Sequence, residues 1–358
     1  MESSGTYEIC APTAPVGSSE LRGARGEADQ WDGSARLTRG VILAGVHNWG
    51  GCALGAASPR PLVPIANRPL ITYLVDWLAD YGVHEVCICG NDDTRALFEC
   101  LADRSHGIKH LEYYEDIMPR GPAGCAKDAW CGSDCDKMLV VDGTIIPRID
   151  LSSLIDFHEQ SEVLMTVAVA RGGADGCGLA GEWLSPLGVY VVSKQALEYV
   201  PKAGYCDIKE TLIPRLHECG QKVVTYMAEA PSPRVTGTRS YMAVNEWLVE
   251  QMCGGSHEVE GYVRVGEALV HSSATIAPAS RLIGPVLIGP GSKIEQGVTI
   301  VGPVSIGCDC VIGAGAVVCR SAVWDRCLLD ADVTMDRCVL THDGRLRGPL
   351  SVKNVVLG

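Results

Sequence analysis

Positive charge is scarce in this sequence. The chain of 358 residues contains 30 Lys and Arg residues against 43 Asp and Glu residues, which gives a net charge of −13. Binding to a nucleic-acid backbone relies on clustered basic side chains. We therefore expect no nucleic-acid partner, although a local pocket for a small anionic ligand is compatible with this overall charge.

Long apolar runs are also missing. The apolar segments are short and interrupted, so we expect no transmembrane helix and no membrane partner. The first residues lack a basic start followed by an apolar core, which argues against a secretory signal and favours a cytoplasmic location. With 47% hydrophobic and 20% charged residues, the composition is typical of a globular chain long enough for two domains.

The 17 cysteines lack the spacing of a zinc site. Cys131 and Cys135, with Cys125 upstream, come nearest to a ligand pair, but no His follows at finger-like spacing. In a reducing compartment cysteine serves as a small buried apolar residue. We expect the cysteines to lie mainly in the core.

Three regions of the chain differ in pattern. Residues 1–37 are rich in Gly, Ser, Ala and Glu without periodicity, which predicts a flexible tail. In residues 38–254 apolar strands alternate with amphipathic helices, which predicts a mainly parallel α/β sheet with ligands at the carboxyl ends of its strands. The predicted strands are 86–90, 138–141, 163–170, 189–192 and 223–227, and the predicted helices are 70–81, 151–159 and 208–219.

Residues 255–358 carry a different pattern, with a period of six. The apolar residues on one six-residue grid are Ile276, Leu282, Ile288, Ile294, Ile300, Ile306, Ile312, Val318 and Trp324. A short-period repeat rich in Gly and β-branched residues is typical of a β-solenoid. It resembles the hexapeptide left-handed β-helix, in which three hexapeptides form one coil and the grid residue points inward. The grid covers about three coils, and we expect residues 331–358 to add another and cap the end.

The α/β region resembles the sugar-1-phosphate nucleotidyltransferases. Its first strand, 41–44, runs into a Gly-containing turn and a Pro-rich segment with the spacing of the family's G-x-G-T-R-L-x-P-L-T and P-K-P motifs. Further on, 118–124 (MPRGPAG) resembles the L-G-T-A-G nucleotide-recognition turn, and 138–151 resembles the strand that ends in N-G-D. The segment 236–245 (TGTRSYMAVN) resembles D-I-G-T-P-x-x-Y-x-x-A-N.

This resemblance implies a fold as well as a reaction. A nucleotidyltransferase domain followed by a β-helix is an architecture of that family. The implied fold is a Rossmann-like α/β domain at 38–254, followed by a left-handed parallel β-helix at 255–358. The implied reaction is attack of a sugar 1-phosphate on a nucleoside triphosphate with release of pyrophosphate.

The residues that the reaction needs are substituted here. Nucleotidyl transfer relies on cationic side chains and on a metal ion held by carboxylates. The arginine of G-T-R falls on Gly50, and the lysine of P-K-P falls on Arg60, which keeps the charge. The metal-binding aspartate of N-G-D falls on Thr144, the second metal aspartate falls on Val235, and no E-K-P follows Arg171.

Two residues remain as candidates for catalysis. Arg60 can hold a phosphate. Asp142 lies two residues before Thr144 and therefore on the same side of a strand, which makes it a candidate catalytic and metal-binding residue. The alternative is that Asp142 only ends the strand or caps a turn. The candidate nucleotide-binding positions, where the backbone can approach a phosphate or a base, are Gly45, Gly50, Gly51, Gly121 and Gly124.

Three functions compete. The one we favour is a non-catalytic family member that binds a nucleotide or nucleotide sugar as a regulatory or scaffold subunit, in a homo-oligomer or in a hetero-oligomer with an active homologue. The second is an active enzyme that forms a nucleotide sugar with Asp142, Arg60 and Arg120; only this function needs Mg²⁺. The third, an acyltransferase using the β-helix, needs a catalytic His in the coils, and none lies between Ile276 and Trp324.

Overall fold

The computed structural model describes residues 38–45, 51–91, 101, 107–130, 135–171, 184–256 and 258–358. The predicted tail 1–37, the candidate Gly50 and the cysteine Cys131 lie outside the described residues. In the described part of the chain, no helix combines the length and apolar character that crossing a bilayer requires.

One seven-stranded sheet organises the α/β part of the molecule. The strands of this part are β1 (Thr38–Leu43), β2 (Pro64–Ile65), β3 (Arg68–Pro69), β4 (Glu85–Gly90), β5 (His110–Glu115), β6 (Lys137–Asp142), β7 (Met165–Arg171), β8 (Leu184–Ser193) and β9 (Val223–Met227). The sheet has the order β5-β4-β1-β6-β8-β7-β9, and β2 and β3 form a separate hairpin. Neighbouring strands of the sheet are parallel except at β8, which runs antiparallel to β6 and β7. The predicted, mainly parallel Rossmann-like sheet is confirmed.

Four of the described helices cover the faces of this sheet, and the first and the last pack instead in the apolar cluster that includes the β2–β3 hairpin. The described helices are α1 (Leu54–Ala57), α2 (Leu70–Asp80), α3 (Gly121–Trp130), α4 (Leu151–Ser161), α5 (Ile213–Glu218) and α6 (Thr238–Gly254). Short helical turns span Arg60–Leu62, Lys194–Tyr199 and Ile208–Leu212. The predicted strands and helices are present, but β8 begins five residues earlier than predicted and the predicted helix 208–219 is divided into the turn Ile208–Leu212 and α5. Helix α3 replaces part of the turn that we expected at 118–124, and β5 and α6 were not predicted.

The β-helix consists of short strands on three faces. Its strands are β10 (Tyr262–Val265), β11 (Ala268–His271), β12 (Thr275–Ile276), β13 (Arg281–Ile283), β14 (Val286–Ile288), β15 (Lys293–Ile294), β16 (Thr299–Val301), β17 (Val304–Ile306), β18 (Val311–Ile312), β19 (Val317–Cys319), β20 (Ala322–Val323), β21 (Leu328–Leu329), β22 (Thr334–Asp336), β23 (Val339–Leu340), β24 (Arg345–Leu346), β25 (Ser351–Lys353) and β26 (Val356–Leu357). They form sheets of seven, five and five strands. Ile276, Ile294 and Ile312 stack in register on one face, which confirms the left-handed β-helix and its inward-pointing grid.

The grid prediction is wrong at Trp324. Val323, not Trp324, pairs with Ile306. The turn between β19 and β20 is one residue shorter than the turn between β16 and β17 in the preceding coil. This follows because Cys319 pairs with Val301 while Ala322 pairs with Ser305. The later coils keep this shorter step to the end of the chain, so residues 331–358 continue the stack.

The shifted register turns Trp324 toward helix α6. Its side chain is 2% exposed, and Nε1 donates a hydrogen bond of 2.7 Å to the hydroxyl oxygen of Tyr241. The Tyr241 hydroxyl donates in turn to the Pro64 carbonyl at 2.8 Å. Asn245 accepts from the Ala66 N–H at 2.8 Å and donates to Ser305 Oγ at 3.1 Å. Helix α6 therefore bonds the β2–β3 hairpin on one side and the β-helix on the other.

A buried histidine makes the stability of the α/β part sensitive to acid. His158 on α4 is 3% exposed and lies 2.8 Å from Thr166 Oγ1 and 3.2 Å from Ser193 Oγ. Burial, with a smaller contribution from Lys137, lowers the pKa of His158 from 6.5 to about 4. Between these values the unfolded chain binds a proton that the folded chain does not, so stability falls as the pH falls through this window.

We therefore expect the variant His158→Gln, which keeps polar atoms at this position, to be less sensitive to acid. Between pH 7.5 and 4.5 the free energy of unfolding of the wild type should fall by about 2.5 kcal/mol more than that of the variant, because one pKa unit corresponds to about 1.4 kcal/mol. Urea unfolding followed by circular dichroism at both pH values measures the difference. Equal pH dependence of the two proteins would contradict this role of His158.

Candidate active site

The site lies where β1 and β6 end, at the centre of the sheet. Asp142 is the last residue of β6, and Gly143 follows with its N–H donating to the Leu43 carbonyl at 3.0 Å. A Cβ atom on Gly143 would lie 2.7 Å from that carbonyl oxygen, so the close approach requires glycine. The carboxyl edge of a parallel sheet is where ligands of such folds bind.

Both carboxylate oxygens of Asp142 have partners within the chain. Oδ1 accepts hydrogen bonds from the Thr144 N–H at 3.0 Å and from the Thr144 hydroxyl at 2.7 Å. Oδ2 forms an ion pair with the Arg234 guanidinium, which also donates to Thr144 Oγ1 at 3.1 Å. Burial favours a higher pKa for Asp142, but Arg234 and Thr144 outweigh burial and hold this pKa below its ordinary value. Asp142 is therefore a carboxylate at neutral pH.

Backbone pairing brings Arg234 to this position. Arg234 faces Ile145 in an isolated antiparallel bridge, and the N–H of Val235 donates to the Thr144 carbonyl at 2.8 Å. The guanidinium also donates to the Leu187 carbonyl at 3.3 Å. Gly188 leaves the space that the guanidinium fills, since a Cβ there would lie 2.5 Å from Arg234 Nη2.

The residues present do not fit the metal that the family resemblance implies. Magnesium requires oxygen ligands, chiefly carboxylates. Val235, at the second metal position, is fully buried in an apolar cluster with Leu54 and Ile146. Thr144 offers a hydroxyl that already donates to Asp142. Among the residues that the structure describes, no group of three or more His, Cys, Asp and Glu side chains could hold a metal ion.

Arg60 shares the electrostatic environment of Asp142. It begins the short helical turn Arg60–Leu62 in the Pro-rich segment and is half-buried. Burial lowers the pKa of Arg60, the charge of Arg234 acts in the same direction, and the charge of Asp142 opposes them. The charges of Asp142 and Arg234 thus act on Arg60, and the catalytic role that we predicted for Arg60 and Asp142 remains a prediction.

Gly45 and Gly51 lie on either side of the segment 46–50, which is outside the described residues. Gly45 lies two residues after the end of β1, and Gly51 has a φ of +80°, a conformation that glycine adopts without strain. A Cβ at either position would meet no described atom within 4 Å. Both glycines are exposed.

Close contacts within the chain explain why glycine stands at positions 121 and 124 of the segment 118–124. Gly121 has a φ of +73°, and a Cβ there would lie 2.7 Å from the Cys206 carbonyl oxygen. A Cβ at Gly124 would lie 2.7 Å from Arg120 Cβ. These positions pack tightly, and the base-binding role that we predicted for them remains a prediction.

The side chain of Arg120 is engaged by other residues of the chain. Its guanidinium pairs with Asp128 at 3.0 Å and donates to the Pro201 and Gly204 carbonyls, each at 3.1 Å. It holds the 201–204 turn against α3. A rearranged catalytic role for Arg120 would require these contacts to break.

Arg234 is the site residue that sequence reasoning missed. It directly precedes Val235, the position where the second metal aspartate was expected. A basic residue beside a lost metal ligand is the signal that could have identified it.

Comparisons with known proteins agree with this architecture. Residues 40–175 match the family model described as "Nucleotidyl transferase". The chain is 26% identical to mannose-1-phosphate guanylyltransferase of Mycobacterium tuberculosis, over 76% of this chain and 82% of that protein. It is 24% identical to probable mannose-1-phosphate guanylyltransferase 3 of Oryza sativa, over 89% and 98% of the two chains.

A solved structure shows the same fold. The crystal structure of HddC from Yersinia pseudotuberculosis superposes with a TM-score of 0.51 at 17% identity, covering 59% of this chain and 99% of that one. The sheet, the β-helix that follows it, the family model and the relatives lead to one conclusion. Residues 40–175 match the nucleotidyl transferase family, and the chain as a whole is similar to sugar-1-phosphate nucleotidyltransferases.

Proposed function

We propose that this protein binds a nucleotide or a nucleotide sugar at the carboxyl edge of its sheet and has lost, or strongly reduced, the transfer reaction. The observation that carries the proposal is the state of the two metal-ligand positions. Thr144 and Val235 occupy them, and the nearby carboxylate of Asp142 is bound by Arg234. The protein would then act as a regulatory or scaffold subunit.

Charge development explains why catalysis should suffer most. Nucleotidyl transfer places negative charge on the departing pyrophosphate, and family members meet it with a metal ion and basic side chains. Here Arg60 and Arg234 are the cations near Asp142. An arginine can bind a phosphate, but it does not replace a metal that orients both reacting groups.

Ligand binding depends on features that the chain keeps. Gly45, two residues after β1, and Gly51 are exposed, and backbone N–H groups at such glycines can approach a phosphate. Arg60 supplies positive charge in the same region. Because the relatives named above are mannose-1-phosphate guanylyltransferases, GTP and GDP-mannose are the ligands to test first.

A second candidate function is the active enzyme, which would make a nucleotide sugar from a nucleoside triphosphate and a sugar 1-phosphate. The observation in its favour is that the carboxylate of Asp142, ionised at neutral pH, acts electrostatically on Arg60. This function would need Mg²⁺. The regulatory function instead needs a partner, either a second copy or an active homologue, in the same cytoplasmic compartment.

Calorimetric titration with GTP and GDP-mannose, in Mg²⁺ and in EDTA, together with a pyrophosphate-release assay, separates the two functions. We expect binding of at least one ligand and turnover below about 10⁻³ s⁻¹, against about 1–10³ s⁻¹ for typical enzymes. The M. tuberculosis relative serves as the positive control. Magnesium-dependent release of pyrophosphate at an ordinary rate would refute the proposal and establish the enzyme.

A further inference from the structure

We infer that Arg234 is a built-in cation that takes the place of a divalent metal at Asp142, so that a phosphate-bearing ligand binds to this site without metal. The identity of that ligand rests on the proposed function. The exclusion of metal rests on the side chains alone.

The first argument is occupancy. A metal ion bound at Asp142 would need lone pairs of its carboxylate. Oδ2 already accepts from Arg234, and Oδ1 accepts two hydrogen bonds from Thr144. A guanidinium and a metal ion cannot both take Oδ2 in this geometry, so they compete for it.

The second argument is charge. A divalent ion between two carboxylates is neutral as a group, and so is a guanidinium paired with one carboxylate. Val235 removes one carboxylate and Arg234 supplies one positive charge in place of two, so the two substitutions compensate each other. Asp142 and Arg234 neutralise each other, and Arg60, on which both charges act, adds one positive charge. This net positive charge favours an anionic ligand.

The third argument is that the position is built by several contacts. The Arg234 guanidinium is held by Asp142, by Thr144 Oγ1 and by the Leu187 carbonyl. Its side chain is 30% exposed, and Gly188 provides room that any side chain would fill. An arginine that only extended into solvent would not make these hydrogen bonds.

Manganese binding, followed by water-proton relaxation, tests the exclusion of metal without any nucleotide. We expect the wild type and Asp142→Asn to bind Mn²⁺ equally, because Asp142 is not available. We expect Arg234→Ala to bind Mn²⁺ about tenfold more tightly than the double variant Arg234→Ala/Asp142→Asn. Arg234→Lys, which keeps the cation, and Arg215→Ala, which removes an exposed arginine on α5, should behave as the wild type. Thermal melts confirm that each variant is folded.

Two results would overturn the inference. One is a Mn²⁺ site in the wild type that Asp142→Asn removes. The other is equal Mn²⁺ binding by Arg234→Ala and the double variant, since Asp142 would then gain nothing from the loss of the arginine.

A second measurement tests the ligand side with GTP and GDP-mannose. The wild-type affinity should be the same in EDTA and in Mg²⁺, whereas Arg234→Ala should bind about tenfold more weakly in EDTA and recover in Mg²⁺. Magnesium-dependent binding by the wild type would overturn the inference. If the wild type binds neither ligand, the proposed function loses its support, and the Mn²⁺ experiment alone decides the inference.

Discussion

Replacing Trp324 with alanine should lower the free energy of unfolding by about 3–5 kcal/mol, the range for a large aromatic side chain removed from a core. The ring is buried against α6, packs edge-to-face on Tyr241 with centroids 6.1 Å apart, and lies 4.9 Å from the His342 ring. Its removal leaves a cavity between α6 and the β-helix. Urea unfolding followed by far-ultraviolet circular dichroism measures the loss.

Trp324→Phe is the matched control. It keeps an aromatic ring and removes the N–H that donates to Tyr241, so it should cost about 1 kcal/mol beyond any repacking. If Trp324→Ala stayed within about 1 kcal/mol of the wild type, the contact between α6 and the β-helix would contribute little to stability.

The second large effect is expected at Gly188. A Cβ there would lie 2.5 Å from Arg234 Nη2 and 2.9 Å from Asp142 Cβ, and φ is +79°. We expect Gly188→Ala to cost about 2–4 kcal/mol, the sum of left-handed strain and overpacking. The variant should also push the guanidinium away from Asp142. Thermal and urea unfolding measure the cost, and Mn²⁺ binding reports the displacement.

Gly204→Ala separates the two contributions. Gly204 has a similar φ of +88°, but a Cβ there would meet no described atom within 4 Å. This variant should show the strain alone, about 1–2 kcal/mol, and no change in Mn²⁺ binding. Equal losses of unfolding free energy in the two variants would mean that the contact of the new Cβ with Arg234 and Asp142 adds nothing to the backbone strain.

Periodic patterns explain which parts of the fold could be predicted. Strands such as 223–227 and the six-residue grid are local signals, because burial repeats along one segment of chain. Strand β5, whose residues are mainly half-buried, gives a weaker signal. The one-residue shift at Trp324 comes from a shorter turn between two strands, which recurs in the later coils and which a strict six-residue grid does not follow.

The site could be predicted only in part. Asp142 and Arg60 lie in segments that resemble family motifs, which is why the sequence pointed to them, and their catalytic role remains a prediction. The ion pair of Asp142 with Arg234 joins residues 92 apart in the chain, and it exists because the segment before α6 pairs with the backbone after β6. The contacts that explain Gly121 and Gly188 are also distant in sequence, so their tight packing was not predicted.

The short turn between Cys319 and Ala322 has a consequence for how such a chain can change. In most folds a one-residue deletion inside a sheet turns inward side chains outward along a whole strand. Here the loss is confined to a corner, so Val323 keeps the inward position and the next residue becomes the contact with α6. A one-residue change at a corner therefore alters the contact between the α/β part and the β-helix, while the inward-pointing residue of the strand stays in place.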